Sequence, residues 1–379
     1  MDSTRPATTP APSPTPALSQ APAPGHAPGQ AQTLARRRVG LVGLGSIGVT
    51  HARVLAELRS EVELVAVSGG ADTDLAELGW PRATRADPAE ILARGDLDLV
   101  VLCGPTPTHA PQALAALRAG RNVVVEKPLA LDVAAAQEIA WEAAQSGLLV
   151  SVMAQRRLEP QHLDIKRRLD AGELGRPLLG ETFVHWHRDD DYYARASWRG
   201  RQESGGGSVM NQSVHNIDLL RWFLGAPVEV TAQSATLGHD PAVMSAEDTT
   251  VATLRFVSGA LGVVVSSTAV LPGDPACLTL RTSTGTIELT HDKVTRWDLP
   301  GVPPPPDTPP NGGPAGGAQN PAAIGLAGHR AQWRDILDAL REDRPPAVDV
   351  TDGVKTVRLL CAIYSAAATG RAVQLHPEP

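Results

Sequence analysis

From residue 39 onward the chain alternates short, continuous apolar runs with longer stretches rich in Ala, Leu and Glu. The runs fall at 39–42, 62–67, 97–102, 123–125 and 148–152. They are apolar at every position rather than at every second one. That pattern suits strands buried on both faces, as in a parallel sheet with helices on each side. Stretches at 51–59, 111–119 and 133–145 supply such helices. An α/β block over residues 37–156 is therefore expected.

Past that point the pattern changes. A charged helix at 160–169 and a turn at 172–177 precede β-type runs at 178–186, 228–237, 249–257, 259–269, 276–281, 286–289 and 293–297. Strands that follow one another without helices between them point to a mainly antiparallel sheet, with a hairpin at Ser258-Gly259. One helix interrupts them at 208–224, stopped by Gly225 and Pro227. Residues 300–328 form a Pro/Gly-rich loop read as a surface insertion, and helices at 332–340 and 353–368 close the chain. The fold class is α/β plus α+β, the second part covering residues 157–379 with a large open sheet. Residues 1–36 are dominated by Pro and Ala and are expected to be a disordered tail without a secretory signal.

Composition narrows the partners. Aromatic residues make up only 3% of the chain and its net charge is −7, which disfavours nucleic acid and anionic membranes and leaves a small molecule. No apolar run is long enough to span a bilayer. Cys103, Cys277 and Cys361 show neither disulfide nor zinc spacing, and they read as small apolar residues of a cytoplasmic protein.

Three segments carry chemistry. In Gly43-Leu44-Gly45-Ser46-Ile47-Gly48, between a strand and a helix, the glycines permit a tight turn, close approach of a pyrophosphate and helix packing. The helix start then offers free N–H groups to phosphates. The next strand ends at Ser68 without the acid that usually binds ribose hydroxyls, which tips the cofactor from NAD towards NADP and leaves NAD open. Glu126-Lys127-Pro128 ends another buried strand, where ligands of open α/β sheets bind. There the Lys127 ammonium can stabilise an alkoxide, and Glu126 can position and tune it. Asn211, His215 and Asp218 share one face of the interrupting helix. His215 can shuttle a proton and Asn211 can orient a substrate, while Asp218 either orients His215 or bridges within the fold. Gly205-Gly206-Gly207 lets the backbone approach something closely, and Tyr193, Trp198 and Arg199 can hold a sugar-like substrate. His185 and His187 share a strand face but lack a completing ligand set, so no metal is assigned.

Taken together, residues 39–48, 126–128 and 205–218 resemble the Gfo/Idh/MocA oxidoreductase family over the chain from about residue 38. The resemblance implies a Rossmann domain followed by a substrate-binding and oligomerisation domain, assembled as a homodimer or homotetramer. It implies hydride transfer between NAD(P) and a hydroxyl or carbonyl of a sugar, cyclitol or derivative. Lys127 and His215 carry over as catalytic residues. Gly43, Gly45, Ser46, Ile47, Gly48, Ser68, Pro105, His109, Glu126 and Lys127 carry over as the cofactor site. Many members have Asp where this chain has Asn211, and usually Thr just before the proline where it has Cys103-Gly104-Pro105. A glycosidase that retains its cofactor and a dinucleotide-sensing regulator are the alternatives within the same fold.

Overall fold

The computed structural model describes residues 36–291, 293–307 and 325–376. The expected tail therefore lies outside the described residues, apart from Arg36, as does most of the Pro/Gly-rich insertion. The first sheet has β1 (Arg37–Val42), β2 (Val62–Ser68), β3 (Thr84–Arg85), β4 (Leu99–Leu102), β5 (Asn122–Val125) and β6 (Val150–Val152). Their order is β3-β2-β1-β4-β5-β6, all parallel. Between them run α1 (Ser46–Glu57), α2 (Pro88–Ala93), α3 (His109–Arg118) and α4 (Val133–Ser146). The unbroken apolar strands follow from burial on both faces. Leu41, Val101 and Val124 belong to one core, and Val100, Leu102, Val123 and Val125 to the other.

After α5 (Pro160–Asp170) comes β7 (Pro177–His185), then α6 (Asp190–Ala194) and α7 (Val214–Leu224). Next are β8 (Pro227–Ala235), β9 (Thr249–Phe256), β10 (Leu261–Ser267), β11 (Cys277–Thr282), β12 (Thr286–Thr290) and β13 (Lys293–Asp298). The chain ends with α8 (Ala327–Glu342), α9 (Val350–Thr369) and β14 (Val373–Gln374). The second sheet runs β13-β12-β11-β7-β10-β9-β8-β14 and is antiparallel except for the β7–β10 pair. Its strands alternate: Ala252, Leu254 and Phe256 of β9 face the core with Ile217 and Leu220 of α7, while Val251, Thr253 and Arg255 face outward. One face is covered and the other open.

Three local results depart from the sequence pattern. β3 and α2 lie outside the expected elements: β3 is two polar residues and α2 a single short turn-and-a-half, too brief for a periodic signal. α9 begins at Val350, capped by Asp349, and runs through Gly353 instead of starting there. A Cβ on Gly353 would lie 2.6 Å from Val152 Cγ2, so this glycine lets the helix close on β6. α8 packs Trp333 and Ile336 into the first sheet's core although it follows the second sheet in sequence.

Candidate active site

The Gly-rich turn joins β1 to α1. Gly43 has a φ of 99°, and a Cβ there would lie 2.8 Å from the Cys103 backbone. A Cβ on Gly48 would lie 2.2 Å from the Gly43 carbonyl. Around Gly45, by contrast, the space is open. Gly45 is the N-cap of α1 and caps it with no side chain, so the N–H groups at Ser46 and Ile47 remain available to an anion. An uncapped helix start beneath open space fits a dinucleotide pyrophosphate. Ser68 at the end of β2 is buried, and its Oγ accepts the Gly43 N–H at 3.0 Å, bracing the turn. Arg85 of β3 donates to the carbonyls of Gly69 and Thr73, which places a guanidinium beside the same strand end. Sequence reasoning missed this residue because β3 carries no apolar signal.

Pro105 is exposed at the end of β4, next to the glycine turn. His109 is buried, with Nδ1 2.8 Å from the Pro128 carbonyl and Nε2 2.9 Å from the Gly104 carbonyl. It clamps the loops after β4 and β5 and presents no ring nitrogen to a ligand.

Lys127 follows β5, and its peptide bond to Pro128 is cis. Its Nζ donates to the backbone carbonyl of Asn211 at 3.1 Å. That carbonyl lies in a π-helical turn, Ser208–Ser213, which precedes α7 and whose wider winding interrupts the α-helical bonding. The predicted helix at 208–224 is thus two segments. Lys127 and His215 line one cavity of about 20 Å³, roughly the room for a single water. Neither ring nitrogen of His215 has a hydrogen-bonding partner among the described residues. Enclosure, then the Lys127 and Arg156 charges, push its pKa well below the usual range, so the imidazole is neutral and can accept a proton. Burial also lowers the pKa of Lys127; Glu126 opposes that shift and Arg156 adds to it.

Asp218 bridges within the fold. It accepts Arg157 Nε and Nη2 at 2.6 Å each and the Thr356 hydroxyl at 2.6 Å. Burial pushes its pKa up, but the Arg157 charge and hydrogen bond outweigh that and hold it low. Gly206 and Gly207 approach protein rather than ligand: a Cβ on each would collide with the Arg199 carbonyl and the Glu247 carboxylate. Glu247 Oε1 accepts the Val209 N–H at 2.8 Å and the Tyr364 hydroxyl at 3.1 Å, anchoring the start of the π-turn. Burial raises its pKa to about 7. No motif marked Glu247, Tyr364 or Arg156.

Of the residues expected to hold substrate, Tyr193 is buried, donating its hydroxyl to Thr268 Oγ1 at 2.8 Å. The neighbouring Tyr192 is half-buried and meets the Tyr193 ring edge to face. Its hydroxyl accepts Gln212 Nε2 at 3.0 Å, one residue from Asn211, and its ring lies under the Arg199 guanidinium at 4.3 Å. Trp198 is half-buried, 5.8 Å from the same guanidinium. Arg188 joins this group, donating to Gln212 Oε1 at 3.2 Å and lying over the Tyr192 ring at 5.4 Å. In two adjacent tyrosines the pattern cannot say which ring goes inward; the fold buries Tyr193 with Met244 and Ala246 and leaves Tyr192 half-buried against that cluster.

Among the described residues, a possible ligand cluster for a metal lies at His51, Glu126 and His329 rather than at His185 and His187. His51 Nδ1 accepts the Trp333 Nε1–H at 2.9 Å, so the ring proton sits on Nε2 and points to Glu126 Oε1 at 2.9 Å. The nitrogen facing the cluster is a donor, and a protonated nitrogen ligates no cation. Cys103 is buried, and Cys277 and Cys361 are half-buried free thiols. No helix of the described residues is long and apolar enough to cross a membrane.

Residues 37–154 match the family model described as an oxidoreductase family with an NAD-binding Rossmann fold. Residues 162–288 match the GFO/IDH/MocA C-terminal domain. The scyllo-inositol 2-dehydrogenase (NAD(+)) of Bacillus subtilis is 30% identical over 236 residues, 61% of this chain and 67% of that protein. Inositol 2-dehydrogenase 1 of Saccharopolyspora erythraea is 36% identical over 197 residues; that match spans 50% of this chain and only 55% of the relative. The crystal structure of the WlbA dehydrogenase from Bordetella pertussis, in complex with NADH and UDP-GlcNAcA, superposes with a TM-score of 0.78 at 29% identity. That superposition covers 90% of this chain and all of the other. With its glycine turn, its Glu-Lys-Pro strand end and its open second sheet, this chain belongs to the Gfo/Idh/MocA family of oxidoreductases.

Proposed function

We propose that this enzyme oxidises or reduces a CH–OH or carbonyl group of a sugar, cyclitol or sugar derivative. The observation that carries the reading is the pairing of Lys127 and His215 over one cavity. The ammonium is hydrogen-bonded to a neutral carbonyl, and the imidazole is neutral and without a hydrogen-bonding partner. In the oxidative direction Lys127 donates to the substrate oxygen and stabilises negative charge on it, while His215 takes the hydroxyl proton. The nicotinamide, when bound, supplies the hydride acceptor or donor. Asn211, Tyr192, Trp198 and Arg199 orient the substrate's other hydroxyls. The inositol dehydrogenases and the nucleotide-sugar complex among the relatives support that substrate class.

The cofactor is NAD or NADP. NAD is favoured by the likeness to an NAD(+)-dependent inositol dehydrogenase and to the NADH complex; NADP is favoured by Ser68 standing where an acid would repel a 2′-phosphate and by Arg85 beside it. The open face of the second sheet, with Val251 47% and Leu261 48% exposed, is the surface on which copies of the chain associate. Three free thiols suit a reducing cytoplasm.

The test is absorbance at the reduced-nicotinamide band with both dinucleotides against sugars, cyclitols, sugar acids and nucleotide sugars. A substrate-dependent signal that disappears in Lys127→Ala is expected, with dinucleotide affinity nearly intact. Unchanged turnover in that variant would sink the mechanism. A dinucleotide that co-purifies and never exchanges would move the assignment to a retained-cofactor glycosidase.

A further inference from the structure

The two carboxylate oxygens of Glu126 have different partners. Oε2 accepts the backbone N–H of Lys127 at 3.1 Å, and Oε1 accepts His51 Nε2–H at 2.9 Å. Behind His51, Trp333 Nε1 donates to Nδ1 at 2.9 Å. An indole nitrogen only donates, so His51 Nδ1 must carry a lone pair and the ring's single proton must lie on Nε2. Trp333 and His51 are fully buried and Glu126 is 5% exposed. The three come from α8, α1 and the end of β5, elements brought together only by the fold. We infer that Trp333 and His51 are positioning residues that act through Glu126 on Lys127. The indole fixes the imidazole tautomer, and the imidazole N–H holds the carboxylate ionised beside the catalytic ammonium. The inference rests on the assignment of Lys127 as a catalytic residue.

The physical reason is the cost of a bare buried carboxylate, which takes up a proton unless donors compensate it. Burial works against the Glu126 charge, yet the His51 hydrogen bond leads the forces that outweigh it and hold the carboxyl below its usual range. The resulting anion favours the ammonium form of Lys127 against burial and against Arg156. Besides Lys127, the other ionisable groups that bear on Glu126 are His215 of α7, which the Lys127 charge also reaches, His329 of α8, at 4.0 Å from Oε1, Cys103 after β4 and His109 of α3. None of these four donates a hydrogen bond to the carboxylate, so His51 is its side-chain donor among the described residues. If the indole N–H is removed, the imidazole proton is free to move to Nδ1. In the molecules where it does, Nε2 turns a lone pair towards Glu126, the carboxylate loses its side-chain donor, its pKa rises and the negative charge beside Lys127 is weakened. The Lys127 pKa falls.

The experiment compares Trp333→Phe, His51→Ala, His51→Gln and the His51→Gln/Trp333→Phe double variant with wild type in the dehydrogenase assay across pH. In Trp333→Phe and His51→Ala the alkaline limb of kcat/KM moves to lower pH by about one unit. In both, kcat falls several-fold while KM for the dinucleotide changes by less than about twofold. A glutamine amide donates to Glu126 whatever the indole does, so His51→Gln and the double variant keep the wild-type limb. Nitrogen-15 NMR of histidine-labelled protein reports the tautomer without reference to activity. Wild type and Lys127→Ala show Nε2–H at His51, and Trp333→Phe shows a mixture. An unmoved alkaline limb in Trp333→Phe and His51→Ala, with only a lower melting temperature, reduces the chain to a structural contact and overturns the inference. So does a wild-type Nδ1–H tautomer. A fully active Lys127→Ala with the tautomer intact identifies the Lys127 assignment as the failure, and the inference falls with it.

Discussion

Two buried clusters of charge flank Lys127 and His215, the pair proposed to be catalytic, and they are built on opposite rules. On the α7 side, Arg157 and Arg221 meet Asp218 and Asp352. Arg157 binds Asp218 through two nitrogens, and Arg221 Nη2 reaches Asp352 at 2.9 Å. Cation is matched to anion, and Thr356 fills a remaining acceptor position. On the β5 side, Glu126 and Lys127 are neighbours whose charged tips turn away from each other, the acid to an imidazole N–H and the ammonium to a carbonyl. The first cluster spends its charges on one another and ties α7 to the segment after β6 and to α9. The second solvates each charge with neutral dipoles, so a substrate oxygen can compete for the lysine.

Breaking the second cluster has the largest expected effect. Lys127→Ala should lower kcat on the order of 10³-fold, and His215→Ala on the order of 10²-fold, in steady-state assays of folded protein that still binds dinucleotide. Breaking the first should act on stability instead. Arg157→Met leaves Asp218 buried without its main counter-charge and should cost about 3–5 kcal/mol in urea unfolding, while activity per folded molecule persists. Equal loss of activity and stability in that variant would erase the distinction between the clusters.

Glu247 sharpens the comparison because it anchors the π-turn that leads into α7 and belongs to neither cluster. Its pKa is raised from 4.5 to about 7 by burial. Between those values the folded state holds more protons than the unfolded state, so its contribution to stability falls as pH rises through that window. Glu247→Gln should remove the slope and gain on the order of 2 kcal/mol relative to wild type at pH 8 compared with pH 5, read by urea unfolding at the two values. The smallest contrast is between the two tyrosines. Tyr193→Phe should cost about 1 kcal/mol through the lost Thr268 bond and leave KM unchanged. Tyr192→Phe should raise substrate KM about threefold with little change in melting temperature. The reverse assignment would restore the sequence-based choice of Tyr193.

Much of this molecule is legible along the chain because it depends on neighbours in sequence. Unbroken apolar runs yield the parallel sheet, alternating ones the half-open sheet, and the glycine spacing yields an uncapped helix start over open space. Lys127 and His215 stand out because a strand end and a helix face are local features. What remained hidden depends on contacts between distant segments. The π-turn that exposes the Asn211 carbonyl depends on Glu247 and Tyr364, which are 38 and 154 residues from the backbone N–H groups they meet. The tautomer of His51 depends on an indole 282 residues away. Hydrophobic periodicity reports which face of an element is buried. It carries no information on which polar partner waits on the other side, because that partner is set by how the sheets and the last two helices pack.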